Sequence, residues 1–259
     1  MTAKLTVVGA GPGDPDLITL KAIKAIKAAD VILYDALVNP KLLEYASQEA
    51  ELIFVGKRKG CYSYQQDQIN ELIVERAIQR GHVVRLKGGD PFIFGRGAEE
   101  LAYAKDYAIE VAMVPGISSS VAVPAYHGIS LTKRNVSESF WVITGTTKSH
   151  EISKDIAIAS KSSATVVILM GMGKLSEIVS IFSLEGRAET PVAIIQNGTI
   201  SHRKEAIGTI GTIEALVKEK ELSSPAIIII GDVVKSRVDL SNMYEKANNA
   251  NKTFQPIFA

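Results

Sequence analysis

Short apolar runs, each followed by glycine, proline, asparagine or a charged residue, recur along almost the whole chain and constrain its fold more than any other feature. They are rich in valine and isoleucine, a composition typical of buried β-strands. The predicted strands begin at Leu5, Val31, Leu52, Val83, Val111, Trp141, Val166, Val192 and Ala226.

Helical patterns separate many of these strands. The segment LITLKAIKAIKAAD has a lysine stripe opposite an apolar stripe, and QDQINELIVERAIQRG stops at Gly81. Strands that alternate with helices predict an α/β fold, in which ligands bind at the carboxyl ends of the strands. The residues expected on the apolar stripe of the first helix are Leu17, Leu20, Ile23 and Ile26.

A chain of 259 residues is long for one compact core and suits two domains. The Gly-, Ser- and Pro-rich segment from Val114 to Asn135 is the predicted seam. We expect an N-terminal α/β domain over residues 1–114 on the substrate side, a C-terminal α/β domain over 115–240, and a flexible tail over 241–259.

Composition excludes several classes of function. The formal charge of +1 argues against nucleic-acid binding, and no apolar run reaches the length of a membrane span. The single cysteine, Cys61, excludes an internal disulfide, and the N-terminus lacks a signal-peptide pattern. These features favour a cytoplasmic enzyme.

The run VVRLKGGDPFIFGRG, Val83 to Gly97, marks the predicted ligand site. A strand there ends in two glycines and Asp90, so a ligand can approach the main chain closely. The carboxylate of Asp90 can accept hydrogen bonds from hydroxyls or amines, which suits a small polar metabolite.

The opening VVGAGPGDPD allows a second interpretation, a dinucleotide-binding βαβ unit with Asp35 on a ribose. That fingerprint requires glycine where Asp14 stands, and Pro12 removes a main-chain donor. A nicotinamide-dependent oxidoreductase therefore stays an alternative with a defective motif.

A set of motifs in a fixed order resembles the tetrapyrrole methylase family, and within it the branch that methylates uroporphyrinogen III. The resemblance covers about residues 3 to 238. The motifs are GAGPGDPDLITLKA, VILYDALV, FVGKRKG, VVRLKGGDPFIFGRGAEE, VPGISSS, HGISLTKR, LMGMG, QNGT and SPAIIIIGDVV.

The resemblance implies an α/β, two-domain tetrapyrrole methylase fold with the active site in the interdomain cleft. It implies S-adenosyl-L-methionine as methyl donor, S-adenosyl-L-homocysteine as product, no metal, and a homodimer. The reaction would add two methyl groups, at C2 and C7 of uroporphyrinogen III, and give precorrin-2 by way of precorrin-1 in sirohaem or cobalamin biosynthesis.

The matched motif positions carry roles to particular residues. Asp35 would be the proton acceptor and Lys57 the proton donor of catalysis. The carboxylate-rich substrate would bind Arg58, Arg96 and Arg134, since arginine forks fit carboxylates. The donor would contact Pro12, Gly88, Gly89, Asp90, Ile93, Ser118, Ser119, Met170, Gly198 and Ala226.

Two further alternatives share much of this pattern. A methylase of a later precorrin would have the same fold and donor site. A non-catalytic tetrapyrrole carrier would bind the macrocycle without turnover, although it would not need the full set of donor-site residues.

Overall fold

The structure is a computed structural model that describes residues 2–56 and 64–240. It divides into two compact units, an N-terminal unit of Met1–Ala122 and a C-terminal unit of Val123–Ala259. This division lies within the predicted seam from Val114 to Asn135, although later than the predicted boundary between residues 114 and 115. The predicted catalytic Lys57, the predicted substrate-binding Arg58 and the tail from residue 241 lie outside the described residues.

The N-terminal unit contains a five-stranded sheet whose paired strands are all parallel, in the order β3-β2-β4-β1-β5. Its strands are β1 (Lys4–Gly9), β2 (Val31–Tyr34), β3 (Glu51–Phe54), β4 (His82–Lys87) and β5 (Glu110–Val114). Its helices are α1 (Leu20–Lys27), α2 (Gln66–Arg80) and α3 (Gly97–Asp106), and α4 (Ser119–Tyr126) contains the division between the units.

Apolar side chains on both faces of this sheet hold the unit together. Neighbouring residues of a strand point to opposite faces, so Val7 packs with Ile73 of α2 and Val8 packs with Ile26 of α1. A parallel sheet covered on both faces needs continuous apolar strands, which is the pattern that the sequence contains.

The carboxyl ends of β1 and β4 form a switch point in this sheet. The chain leaves β1 through α1 towards β2, and leaves β4 through α3 towards β5, so the two connections run in opposite directions. The helices α1 and α3 pack on opposite faces of the sheet, and ligands usually bind at the carboxyl end of such a switch point.

The C-terminal unit contains a second five-stranded sheet, in the order β6-β7-β10-β8-β9. Only β6 and β7 pair in parallel among its strands, and the other three pairs are antiparallel. The strands are β6 (Phe140–Thr144), β7 (Thr165–Leu169), β8 (Pro191–Gln196), β9 (Lys204–Thr209) and β10 (Ala226–Ile230). The helices are α5 (Asp155–Ala159), α6 (Leu175–Leu184) and α7 (Ile213–Glu219).

The central strand β10 supplies both faces of this second core. Ile228 and Ile230 pack with Phe182 of α6, whereas Ile227 and Ile229 pack on the opposite face. Its run of four isoleucines is therefore buried on both sides. None of the helices over residues 2–56 and 64–240 combines the length and apolar character that crossing a membrane requires.

Candidate active site

The loops after β1 and β4 pair with each other through their main chains. Gly11 donates its N–H to the carbonyl of Gly89 at 3.2 Å, and Gly89 donates back to Gly11 at 2.6 Å. This exchange joins two loops of the predicted donor site. One contains Pro12, and the other contains Gly88, Gly89 and Asp90.

Asp90 ties a third loop to the other two. Its Oδ2 accepts a hydrogen bond from the main-chain N–H of Gly116 at 3.0 Å, and its Oδ1 accepts one from Phe92 at 2.8 Å. A carboxylate oxygen can accept more than one hydrogen bond, so Asp90 can hold the loop and still meet a ligand. Its positioning role is an addition to the ligand contact that the sequence predicts.

Three glycines meet where these loops cross. A β-carbon on Gly116 would lie 2.3 Å from the carbonyl oxygen of Gly89 and 2.7 Å from Cα of Gly9. No side chain of any size fits there, because real β-carbons do not approach other atoms so closely. The loops therefore present bare main chain, which suits close contact with a small ligand.

Ser118 and Ser119 lie beside the same loops. A β-carbon on Gly89 would be 3.9 Å from both Ser118 Cα and Ser119 N. Ser118 Oγ accepts a hydrogen bond from Ser120 N at 3.2 Å at the start of α4, as a helix-capping residue does. The structure therefore brings the predicted donor contacts of the N-terminal unit together.

The segment between β4 and α3 exposes apolar side chains. Ile93, a predicted donor contact, is 42% exposed, and its neighbours Phe92 and Phe94 are also exposed. Arg96, a predicted substrate contact, has a left-handed backbone and pairs with Glu99 through two hydrogen bonds of 3.0 and 2.6 Å. A substrate carboxylate would have to compete with Glu99 for this guanidinium.

Asp35 follows β2 directly and belongs to a network of charged side chains that reaches into the core. Arg85 donates from Nη2 to Asp35 Oδ1 at 2.5 Å and from Nε to Glu100 Oε1 at 3.1 Å. Lys87 donates to the same oxygen of Glu100 at 2.7 Å. The side chain of Asp35 is 28% exposed, whereas that of Arg85 is only 2% exposed, so Asp35 is the end of the network that solvent or a ligand can reach.

Burial and the neighbouring charge of Arg85 lower the pKa of Lys87, against the attraction of Glu100. Oxygen Oε1 of Glu100 accepts three hydrogen bonds, from Arg85, Lys87 and Gln66. Among the buried side-chain nitrogen and oxygen atoms of the described residues, Oε2 of Glu100 is the one without a hydrogen-bond partner. Arg85, Lys87 and Glu100 were not among the predicted site residues. The signal for them was two cations at alternate positions of an otherwise apolar strand, which share a face and require buried anions.

The C-terminal unit gathers its own part of the predicted donor set at one end of its sheet. Leu169 pairs with Ile227 and Ala226 pairs with Gln196, so Met170, Ala226 and Gly198 lie where β7 ends, β10 begins and β8 ends. The side chain of Met170 is half-exposed, and Asn197 donates its N–H to Pro225 O at 3.1 Å. This hydrogen bond joins the loop after β8, which contains Gly198, to the loop before β10, which begins at Ala226.

Arg134 lies in an exposed turn closed by hydrogen bonds between Lys133 and Ser137, each main-chain N–H donating at 2.9 Å to the other residue's carbonyl. The turn lines a shallow groove with Thr132 and Asn135. A guanidinium in this setting is accessible to an anionic ligand. No group of three or more His, Cys, Asp and Glu side chains in the described part of the chain could hold a metal ion.

The sequence and the fold match those of known proteins. Residues 4–214 match the family model described as Tetrapyrrole (Corrin/Porphyrin) Methylases. A uroporphyrinogen-III C-methyltransferase of Methanocaldococcus jannaschii is 46% identical over 236 residues, which are 90% of this chain and 98% of the relative. A siroheme synthase of Chromobacterium violaceum is 40% identical over 96% of this chain, which spans only 53% of that protein.

A solved structure of similar fold is a uroporphyrin-III C-methyl transferase from Thermus thermophilus in complex with S-adenyl homocysteine. It has a TM-score of 0.78 and 32% identity, and the match covers 90% of this chain and 99% of that one. Together with the family match over more than half of the sequence, these relatives show that the chain belongs to the tetrapyrrole methylase family.

Proposed function

We propose that this chain is an S-adenosylmethionine-dependent C-methyltransferase that adds two methyl groups, at C2 and C7, to uroporphyrinogen III and yields precorrin-2 by way of precorrin-1. The observation that carries the proposal is the meeting of the loops after β1, β4 and β5, where Gly9, Gly89 and Gly116 touch and Asp90 bonds to Gly116. The product would serve sirohaem or cobalamin biosynthesis.

The residues present fit a nucleoside with a charged amino-acid tail. Bare main chain at Gly88 and Gly89 can bond to polar groups, while Ile93 and Met170 offer exposed apolar surface to an adenine or thioether. We assign the remaining donor contacts to Pro12, Asp90, Ser118, Ser119, Gly198 and Ala226. S-Adenosylmethionine, when bound, supplies an electrophilic methyl group on a sulfonium.

Methylation of a ring carbon forms a carbon–carbon bond and leaves a proton that has to be removed. Asp35 is our proposed proton acceptor, because its carboxylate is partly exposed and is oriented by Arg85. Lys57 is the proposed proton donor on motif position alone, and Arg58 is a proposed substrate contact because it stands in a basic run of the sequence. Holding the reacting atoms in line is the main task left to the protein, since the donor is already activated.

The eight carboxylates of uroporphyrinogen III need basic partners. We assign Arg96 and Arg134 to this role, because a guanidinium can bind a carboxylate at two points. Arg134 is exposed, and Arg96 would exchange Glu99 for the substrate. We further propose that the enzyme acts as a homodimer in the cytoplasm.

Mass spectrometry of the product tests this function. Purified protein is incubated under reducing conditions with S-adenosylmethionine and uroporphyrinogen III. The product is expected to gain the mass of two CH2 units, since each incoming methyl group is balanced by the loss of one proton. Parallel incubations with a later precorrin and with nicotinamide cofactors test the alternatives. Methylation of only the later precorrin, or no mass change beside an active control enzyme, would overturn the proposal.

A further inference from the structure

The main-chain carbonyl of Gly198, in the QNGT motif, is held by a buried imidazole. His127 follows α4 and is 6% exposed. Its Nε2 lies 2.9 Å from Gly198 O, and its Nδ1 lies 2.8 Å from Glu205 Oε2 on β9. The imidazole therefore joins a loop of the predicted donor site to the edge strand of the sheet.

Both neighbours of this imidazole are hydrogen-bond acceptors. A main-chain carbonyl only accepts, and an ionised carboxylate only accepts. Glu205 is kept ionised because its hydrogen bonds with His127 and Arg237, the latter at 2.7 Å, outweigh its burial and lower its pKa to about 2. His127 can make both bonds only when both ring nitrogens carry hydrogen, that is, as an imidazolium.

Charged groups approach the imidazole from two further elements. Arg237, in the segment after β10, donates to Glu205 Oε1, and Lys220, after α7, donates to the main-chain carbonyl of Glu205 at 3.2 Å. Glu205 thus lies between the imidazolium and a guanidinium. In this arrangement each oxygen of the Glu205 carboxylate has a side-chain partner, His127 at Oε2 and Arg237 at Oε1.

The Gly198 loop has little freedom apart from this contact. A β-carbon on Gly198 would lie 2.3 Å from Val123 Cγ1, so the main chain packs directly against a core side chain. The peptide group after Gly198 is planar, so fixing its carbonyl oxygen also fixes the direction of the following N–H. The hydrogen bond from His127 therefore decides how this loop presents its polar groups.

We propose that His127 is a positioning residue for methyl-donor binding, acting as an imidazolium that is held by Glu205 and fixes the carbonyl of Gly198. The proposal rests on the proposed function, in which Gly198 contacts the donor. It predicts that the affinity for S-adenosylhomocysteine falls when the two ring N–H donors are removed by mutation.

Calorimetric titration of the full chain with S-adenosylhomocysteine tests this proposal. His127→Phe keeps a ring but removes both donors, and it is expected to weaken binding about tenfold, the scale of one lost hydrogen bond to a charged group. His82→Gln is the matched control, because His82 bonds to Thr6 and Ala28 O in the N-terminal unit. The wild type and His82→Gln are expected to bind with equal affinity.

A measurement made without ligand tests the role of His127 separately from the proposed methyltransferase function. Nitrogen-15 spectra of the imidazoles should show one histidine protonated on both nitrogens at neutral pH, and its signal should vanish in His127→Phe. If His127→Phe does not fold, Glu205→Gln is used, and it should weaken binding and remove the imidazolium signature. Wild-type protein that binds no S-adenosylhomocysteine would refute the proposed function, whereas equal binding by the wild type and the folded variant would refute the role of His127.

Discussion

Arg85 donates a hydrogen bond of 2.5 Å to Asp35 from a guanidinium that is almost completely buried. The donor lies on β4 and the acceptor directly after β2, two strands that pair in the sheet. The guanidinium of Arg85 is buried and also bonds to Glu100, so it cannot rotate freely. It therefore fixes the orientation of Asp35 at the carboxyl end of the sheet. This fixed orientation supports the proposed role of Asp35 as a proton acceptor.

Replacing Asp35 by asparagine should remove the proposed proton acceptor and keep the shape of the side chain. We expect methyl transfer to slow by about a hundredfold, the usual loss when a general base is removed, with little change in thermal stability. Methyl incorporation measured by mass spectrometry checks this, and Asp106→Asn, an exposed carboxylate at the end of α3, is the control. Full turnover by Asp35→Asn would exclude this residue from the mechanism.

Replacing Gly116 by alanine should force the three loops apart. Its new β-carbon would meet Gly89 O at 2.3 Å, so we expect a loss of about 2 kcal/mol in the free energy of unfolding, together with weaker S-adenosylhomocysteine binding. Gly173→Ala is a matched control, since its β-carbon would meet nothing within 4 Å. Urea denaturation measures the stability of both variants. Equal stability would contradict the packing described above.

Replacing Glu100 by glutamine should leave the buried cations Arg85 and Lys87 without their shared anion. Breaking a buried ion pair typically costs about 3 kcal/mol or more, and we expect a loss of that size in urea denaturation. The neighbouring exposed Glu99→Gln should change stability by no more than about 0.5 kcal/mol. A small effect of Glu100→Gln would mean that the network contributes little to the stability of the sheet.

Glu205 should make the stability of the protein depend on pH in the acidic range. Its pKa falls from the ordinary value of 4.5 to about 2 in the folded state, first through the hydrogen bond with His127. A folded pKa below the unfolded one means that this stabilisation is complete above pH 4.5 and is lost as the pH falls towards 2. The half-exposed position of Glu205 reduces the size of the effect.

Urea denaturation of the wild type and Glu205→Gln at a series of pH values isolates that contribution. The wild type should be the more stable at pH 6, and the difference should shrink as the pH drops below 4.5. A difference that stays constant over this range would show that Glu205 is not stabilised as a carboxylate.

Local patterns predicted most of the strands and the end of α2, because an apolar run and a helix-stopping glycine carry their own signal. Strand β9 was missed, since KEAIGT is polar and lies at the edge of the sheet, where pairing with β8 decides its structure. The helical stripe was wrong in two positions. Leu17 lies before α1, in a 3-10 turn over Pro15–Leu17, because Thr19 caps the helix and α1 begins only at Leu20. Leu20 is 78% exposed, and Ala22 is buried instead.

The candidate site was predictable where it consists of local motifs and not where it depends on distant pairing. Loop glycines and Asp90 stand in conspicuous runs, whereas Glu100 and His127 acquire their partners only through the fold. Glu100 is fifteen positions from Arg85, and His127 is seventy-eight from Glu205. The assignment of Lys57 stays a prediction from motif position, and that of Arg58 stays a prediction from the basic run in which it stands.

The contact of Gly9, Gly89 and Gly116 has a consequence for how a ligand is received. Steric repulsion between main-chain atoms sets the spacing of these three loops, because no side chain lies between them. A shift in one loop is therefore transmitted to the other two. Their order is established when the chain folds, before any small molecule arrives. The main chain of these loops therefore loses little conformational entropy when a ligand binds. Loops of this kind are preorganised for tight association.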